Sequence, residues 1–279
     1  MNARPVAVIT GATAPGRVGL AIATELARAG CNLVLTHRPG ASAERLAAAT
    51  KHIEEAVAAG PAGAGSAMSV PPANEPGRTI VRFEAIDLAD AAAAGAWAGR
   101  LAESLPRVDV LVHNASAYES SPLGSIDAGA VEGQFAVNAC SPLMISAALG
   151  PALAASPMGL AEGVGAAIVT LCDAHALGAD SQPRTRHAAY SMSKAALLEM
   201  TMVLARELSP HVRVNAVAPG VVAFARHEDE AFQSRYLARV PLARAGVPED
   251  AARAVRWLAL EATYCTGEVI RLDGGRHLT

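Results

Sequence analysis

Val6-Ala7-Val8-Ile9-Thr10-Gly11-Ala12-Thr13-Ala14-Pro15-Gly16-Arg17-Val18-Gly19 is the stretch that decides the fold. Residues 6–10 form an apolar run that reads as a buried strand entering a glycine-bearing turn. Beyond it, Leu20, Ile22, Ala23, Leu26 and Ala27 recur at helical spacing, and Gly30 stands where a helix over 18–29 would stop. Residues 32–36 read as a second strand. Strand, glycine loop, helix and strand within about 30 residues make a βαβ unit, the start of a parallel sheet.

The same alternation continues outward. Helical patterns cover 43–59, 91–105, 127–155, 228–239 and 248–260, and another helix carries Tyr190 and the apolar run 195–208. Strand patterns cover 79–86, 108–113, 166–171, 213–217 and 267–271. Residues 60–78 are rich in Gly, Pro, Ala and Ser and lack periodicity. They read as a flexible surface loop and not a linker, because strand signals resume at Thr79. Without repeats or a boundary, the 279 residues fit one α/β domain, a doubly wound parallel sheet flanked by helices.

Composition narrows the function. A net charge of −3 leaves no electrostatic footprint for nucleic acid or an anionic membrane. Residues 1–5 run straight into the first strand with no signal-peptide pattern. The longest apolar runs are interrupted by Pro, Gly or Ser, so none is expected to span a membrane. Cys31, Cys140, Cys172 and Cys265 are far apart, with neither metal-ligand spacing nor a disulfide framework. The expectation is buried thiols in a reducing cytoplasm, and no metal.

Chemistry is concentrated at Tyr190 and Lys194. Four residues apart on a helix, they project from one face. An ammonium beside a phenol favours the phenolate and makes the tyrosine a usable proton donor or acceptor. Lysine occurs only at Lys51 and Lys194 in a chain that otherwise uses arginine, so a lysine here marks a place that needs a compact ammonium. At the other end, Gly11 through Gly19 let the backbone approach a pyrophosphate at a helix N-terminus. The second strand ends Thr36-His37-Arg38, with no acid to bond a ribose. Arg38, joined by Arg17, suits a 2′-phosphate and therefore NADP. Asp87, after the third strand, can contact an adenine edge or cap a helix.

In chain order, Thr10-Gly11, Asp87-Leu88, Asn114-Ala115, Asn138, Tyr190-x-x-x-Lys194 and Pro219-Gly220 resemble the short-chain dehydrogenase/reductase family over nearly the whole chain. The resemblance implies a Rossmann-type fold and a nicotinamide cofactor. Most members carry a serine at the end of the fifth strand; here the strand closes Thr170-Leu171-Cys172-Asp173. An aspartate there resembles pteridine reductases and dihydromonapterin reductases. So do His37-Arg38, the Arg17-Val18-Gly19 loop, Asn114-Ala115-Ser116-Ala117-Tyr118, and the ending Leu272-Asp273-Gly274-Gly275-Arg276-His277-Leu278. Three features depart from that pattern. The glycine loop is about two residues longer and contains Pro15. Asp173 precedes Tyr190 by about four residues more than usual. Pro39 replaces a serine that helps hold the 2′-phosphate.

The resemblance implies NADPH-dependent reduction of a pterin C=N bond, from dihydropterin to tetrahydropterin, with dihydrofolate as a further candidate substrate. Tyr190 would donate the proton. Lys194 would tune it and hold the nicotinamide ribose, and Asn138 would hold a water behind Lys194. Asp173, an acceptor, suits a substrate rich in N–H donors or a proton relay to Tyr190. Tyr118 would stack on the pterin, and Ser116 would bond pterin or cofactor. A general carbonyl or quinone reductase is the alternative enzyme, and an NADP-binding sensor or scaffold the alternative of another kind. Small apolar residues on two helices (Ala139, Ala147, Ala148, Ala195, Ala196) suit close packing between subunits, and family members are usually homotetramers.

Overall fold

The computed structural model describes residues 4–60, 79–177, 186–222, 224 and 229–279. The loop expected over 60–78 therefore lies, from residue 61 on, outside the described residues. Seven parallel strands form one sheet: β1 (Val6–Ile9), β2 (Asn32–His37), β3 (Val81–Ala85), β4 (Val110–His113), β5 (Ala166–Leu171), β6 (Val212–Pro219) and β7 (Val269–Leu272). Their spatial order is β3-β2-β1-β4-β5-β6-β7. In chain order the helices are α1 (Val18–Arg28), α2 (Ala43–Ala58), α3 (Ala91–Ser104), α4 (Ala128–Phe135), α5 (Ser141–Ala154), α6 (Pro157–Leu160), α7 (Ala188–Glu207), α8 (Glu230–Leu237) and α9 (Pro248–Leu260).

The central strands β1 and β4 are buried on both faces, which is why they read as unbroken apolar runs. Ala7 and Ile9 of β1 belong to one core with Leu26 of α1 and Leu258 of α9. Val6 and Val8 belong to the opposite core with Ile145 and Leu149 of α5 and Leu197 of α7. From β1 the chain winds outward to β3, then returns to β4 and winds the other way. That reversal opens a crevice beyond the carboxyl ends of β1 and β4.

The long helix expected over 127–155 is not one α-helix. A π-helical turn, Ala136–Cys140, joins α4 to α5. Pro142, in the first turn of α5, has no N–H to donate to the Asn138 carbonyl four residues back. One expectation needs correcting here. Residues Ala128–Ala154 make a helical path of 27 residues, long and apolar enough by length and composition to cross a membrane. Pro, Gly and Ser interrupt the apolar pattern without ending the helix. Its Ile145, Leu149 and Leu153 are fully buried, as the core helix of a sheet protein requires. A second correction concerns the thiols: Cys31 and Cys172 are buried, Cys265 is half-buried, and Cys140 is exposed.

His113, the last residue of β4, is buried, with Nε2 2.7 Å from Ser146 Oγ of α5. Its Nδ1 has no hydrogen-bond partner. Burial, assisted by the nearby Lys194 charge, lowers its pKa from 6.5 to about 3. The folded protein keeps His113 neutral while the unfolded chain protonates it, so this contribution to stability is whole above the ordinary histidine pKa and declines as pH falls toward the folded value. Between pH 7 and pH 5 the expected loss is about 2 kcal/mol. Urea unfolding at the two pH values checks it: His113→Gln should show a loss smaller by about that amount than the wild type.

Candidate active site

The cofactor end is built on a crossing of β1 and β4. Thr10 Oγ1 accepts the N–H groups of Asn114 (3.0 Å) and Ala115 (3.1 Å). Asn114 Nδ2 returns bonds to the carbonyls of Thr10 (2.9 Å) and Gly11 (3.0 Å). Gly11 has φ +68°, and Gly19 has no room for a side chain: a Cβ there would lie 2.5 Å from both Asn114 Nδ2 and Gly11 O. These glycines let α1 start hard against the strand ends. Arg17, the residue before α1, is extended and makes no side-chain cap, and the first turn of α1 contains no acid.

A cleft of about 560 Å³ runs from this turn across the ends of β2 and β3. It is lined by Gly11, Arg17, Val18 and Gly19, by His37 and Arg38, by Asp87 and Leu88, and by Asn114, Ala115 and Ser116. Every cofactor-contact candidate from the amino half of the chain therefore meets in one place. Asp87 is not the cap of α3; its Oδ1 accepts the Ala89 N–H at 3.0 Å, and the residue lines the cleft. The cap of α3 itself is Asp90. Pro39 also lines the cleft, as does a cation that the sequence pattern did not single out, Arg45 of α2. Arg45 Nε donates to Thr13 O at 3.3 Å, tying α2 to the lengthened glycine loop. Among the described residues no carboxylate pairs with Arg17, Arg38 or Arg45. Three unneutralised guanidinium groups around one cleft fit an anionic, phosphate-bearing ligand.

A second hollow of about 280 Å³ shares Arg17, Val18, Asn114 and Ser116 with the first. It is lined further by Tyr118, Asp173, Tyr190, Lys194, Pro219 and Gly220. Asp173 and Tyr190, 17 residues apart in sequence, meet here: the phenol donates to Asp173 Oδ2 at 2.9 Å. The longer connection between them does not part the two groups, although residues 178–185 of it lie outside the described residues. Asp173 Oδ1 accepts the His175 N–H at 2.8 Å and lies 3.0 Å from His175 Nδ1.

Lys194 is buried, one turn beyond Tyr190. Its Nζ donates to Leu171 O at 2.7 Å and stands 5.9 Å from the centre of the Tyr190 ring. Burial pulls the ammonium pKa down, while Cys172 and Asp173 oppose that shift. Burial also pushes the Cys172 thiol up, so it stays protonated. The Asn138 side chain is fully engaged: Oδ1 accepts from Ala117 N (2.8 Å), and Nδ2 donates to Ala117 O (2.8 Å) and Ser193 Oγ (2.9 Å). It locks the loop after β4 onto α7.

Tyr118 is half-exposed and held by a residue that the motifs did not flag. Its ring stacks on His187 at 4.5 Å and meets Tyr190 edge-on at 4.7 Å. His187 Nδ1 lies 3.1 Å from Glu119 O and must donate to it, so Nε2 accepts the Tyr118 hydroxyl at 3.3 Å. One face of Tyr118 is thus already covered. The signal that could have found His187 is an imidazole at the residue before α7.

Comparisons with known proteins bear on the family. A family model described as enoyl-(acyl carrier protein) reductase matches residues 62–277. An uncharacterized oxidoreductase of Bacillus subtilis, YjdA, is 30% identical over 274 residues, covering 97% of this chain and 96% of that protein. A dihydromonapterin reductase of Shigella boydii is 30% identical over 184 residues, covering 66% of this chain and 72% of that protein. Among solved structures, the Pseudomonas aeruginosa RhlG/NADP active-site complex superposes with a TM-score of 0.78 at 27% identity, covering 99% of this chain and 97% of that one.

The packing at Gly19 yields a direct check. A methyl group there must push Asn114 or the Gly11 carbonyl aside, and both are held by hydrogen bonds. Gly19→Ala should lose about 1–3 kcal/mol of stability in a denaturant titration. Gly99→Ala, where a Cβ meets nothing within 4 Å in a helix interior, should not be destabilised.

Proposed function

The chain belongs to the short-chain dehydrogenase/reductase family, and from that premise we propose that it is an NADPH-dependent reductase of a pterin ring, converting a dihydropterin to a tetrahydropterin. The observation that carries this reading is the 2.9 Å bond from the Tyr190 phenol to Asp173 Oδ2. A ketone oxygen needs neutral donors around it. An ionised carboxylate only accepts, and it suits a substrate edge of ring N–H and amino groups. The similarity to a dihydromonapterin reductase, over two-thirds of this chain, points the same way.

NADP(H) is the cofactor, and when bound it supplies the hydride. Arg38 and Arg45, with Arg17 nearer the reaction end, are the groups that would hold its phosphates. With Pro39 where a serine would help bind the 2′-phosphate, Arg45 offers the missing contact. Asp87 and Leu88 would border the adenine, and Pro219 and Gly220 the nicotinamide. Tyr190 and Lys194 would hold the nicotinamide ribose.

Reduction of C=N also needs a proton at nitrogen, and Tyr190 donates it. Lys194 keeps a positive charge close to the ring as the phenol gives up its proton. Asn138, in the turn packed against α7, would hold the water that resupplies the proton. Asp173 and Ser116 orient the substrate's polar edge, and Tyr118, which lines the same hollow, covers its ring. Exposed Leu143 and Met144 on α5 and Met192 and Val203 on α7 support self-association, in our reading as a homotetramer.

NADPH oxidation with dihydromonapterin, dihydrobiopterin and dihydrofolate, run beside a carbonyl and quinone panel, tests the reading. Turnover confined to the carbonyl panel would overturn it in favour of a general carbonyl reductase; cofactor binding without turnover would point to a sensor. Tyr190→Phe should lower kcat about 10²- to 10⁴-fold, the usual share of a general acid. Asp173→Ser should impair dihydropterin turnover while leaving NADPH binding intact. Arg45→Ala should weaken NADPH binding about tenfold or more, with NADH binding unchanged.

A further inference from the structure

We propose that His175 is a positioning residue for the proton donor: its imidazole takes one oxygen of the Asp173 carboxylate, so that the other stays ionised and aimed at Tyr190. The proposal rests on the reading of Tyr190 as the acid of the site.

Among the described residues, the two carboxylate oxygens face different partners. Oδ2 receives the phenol at 2.9 Å, and Oδ1 receives His175 through both its backbone N–H (2.8 Å) and its ring Nδ1 (3.0 Å). An ionised carboxylate has no hydrogen to give, so the ring contact is a bond only when Nδ1 carries the proton. Asp173 is nearly dry, with 7% of its side chain exposed, whereas the His175 side chain is 14% exposed and lies outermost of the three groups. A carboxylate withdrawn from water needs donors in place of its hydration, and an imidazole N–H is a strong one.

The backbone bond alone would cap the short turn Ala174–Ala176, whatever side chain stood at position 175. The imidazole is therefore an addition to the cap. It draws charge away from the oxygen pair and limits how tightly Asp173 holds the phenol hydrogen. Charged and titratable groups that also face the pair include Lys194 from α7 and Cys172 at the end of β5, both electrostatically coupled to Asp173. His187 reaches it only through the Tyr118 ring.

His175→Ala and His175→Asn both keep the backbone N–H, and the asparagine amide nitrogen can take the place of Nδ1. Phenol ionisation is followed by ultraviolet difference spectra, with Tyr190→Phe as the reference that isolates Tyr190. In His175→Ala the Tyr190 midpoint should rise by about half a pH unit or more, because the carboxylate then holds the phenol proton harder. In His175→Asn it should return to the wild-type value. With a dihydropterin as substrate, kcat should fall about tenfold in His175→Ala at unchanged KM for NADPH, and recover in His175→Asn. An unmoved midpoint in His175→Ala, or an equal shift in both variants, would overturn the proposal. The spectral measurement needs no substrate, so failure of the pterin assignment, seen as absent wild-type turnover, stays distinct from failure of this one.

Discussion

Burial of the sheet on both faces governs everything else in this protein. The central strands β1 and β4, covered on two sides, are apolar up to their carboxyl ends, so their polar groups lie where strands give way to loops. The reversal between β1 and β4 then sets which end is open. Thr10 and Asn114 stitch the two strands together there, with hydrogen bonds running in both directions. Gly19 lets α1 close against that stitching. The cofactor cleft and the reactive hollow are the two sides of this one junction, and they share its residues.

The reactive end depends on groups that fix one another. Lys194 is held by a carbonyl of β5, and Asp173 begins two residues beyond that carbonyl. Movement of the β5 end would displace the ammonium and the carboxylate together, while α7 carries the phenol and the ammonium on one face. Asn138 adds a third tie, joining the loop after β4 to Ser193 between them. The π-turn that presents Asn138 lies directly before Pro142, which has no N–H to give to the Asn138 carbonyl.

Much of this was legible in the sequence, and the physical reason is periodicity. Buried strands and amphipathic helices advertise themselves, so the alternation, the strand ends and the glycine turn were readable; Tyr190 and Lys194 were marked by their spacing, and Asp173 by the family resemblance. Groups that act through a neighbour were not. His175 and His187 look like ordinary loop residues until the fold brings one to Asp173 and the other to Tyr118. Arg45 sits on the exposed side of a helix and matters only because Thr13, 32 residues earlier, lies beside it. The π-turn was hidden because the helical pattern runs through 127–155 without a visible break, while the turn changes only the backbone bonding over 136–140.

The choice of a carboxylate at the phenol has consequences that a serine would not bring. A hydroxyl can donate or accept and remains neutral in the dry hollow. Aspartate brings a negative charge that must be balanced, and it commits the hollow to accepting hydrogen bonds. Lys194 supplies the balancing charge but is itself buried, and burial weakens its hold on a proton. Each of the two charges therefore supports the other, and neither would remain ionised as readily alone. A third donor at Oδ1 relieves the same tension from the solvent side. On the proposed reading, the pair keeps a phenol protonated but labile beside a substrate that offers N–H groups, a different task from polarising a carbonyl.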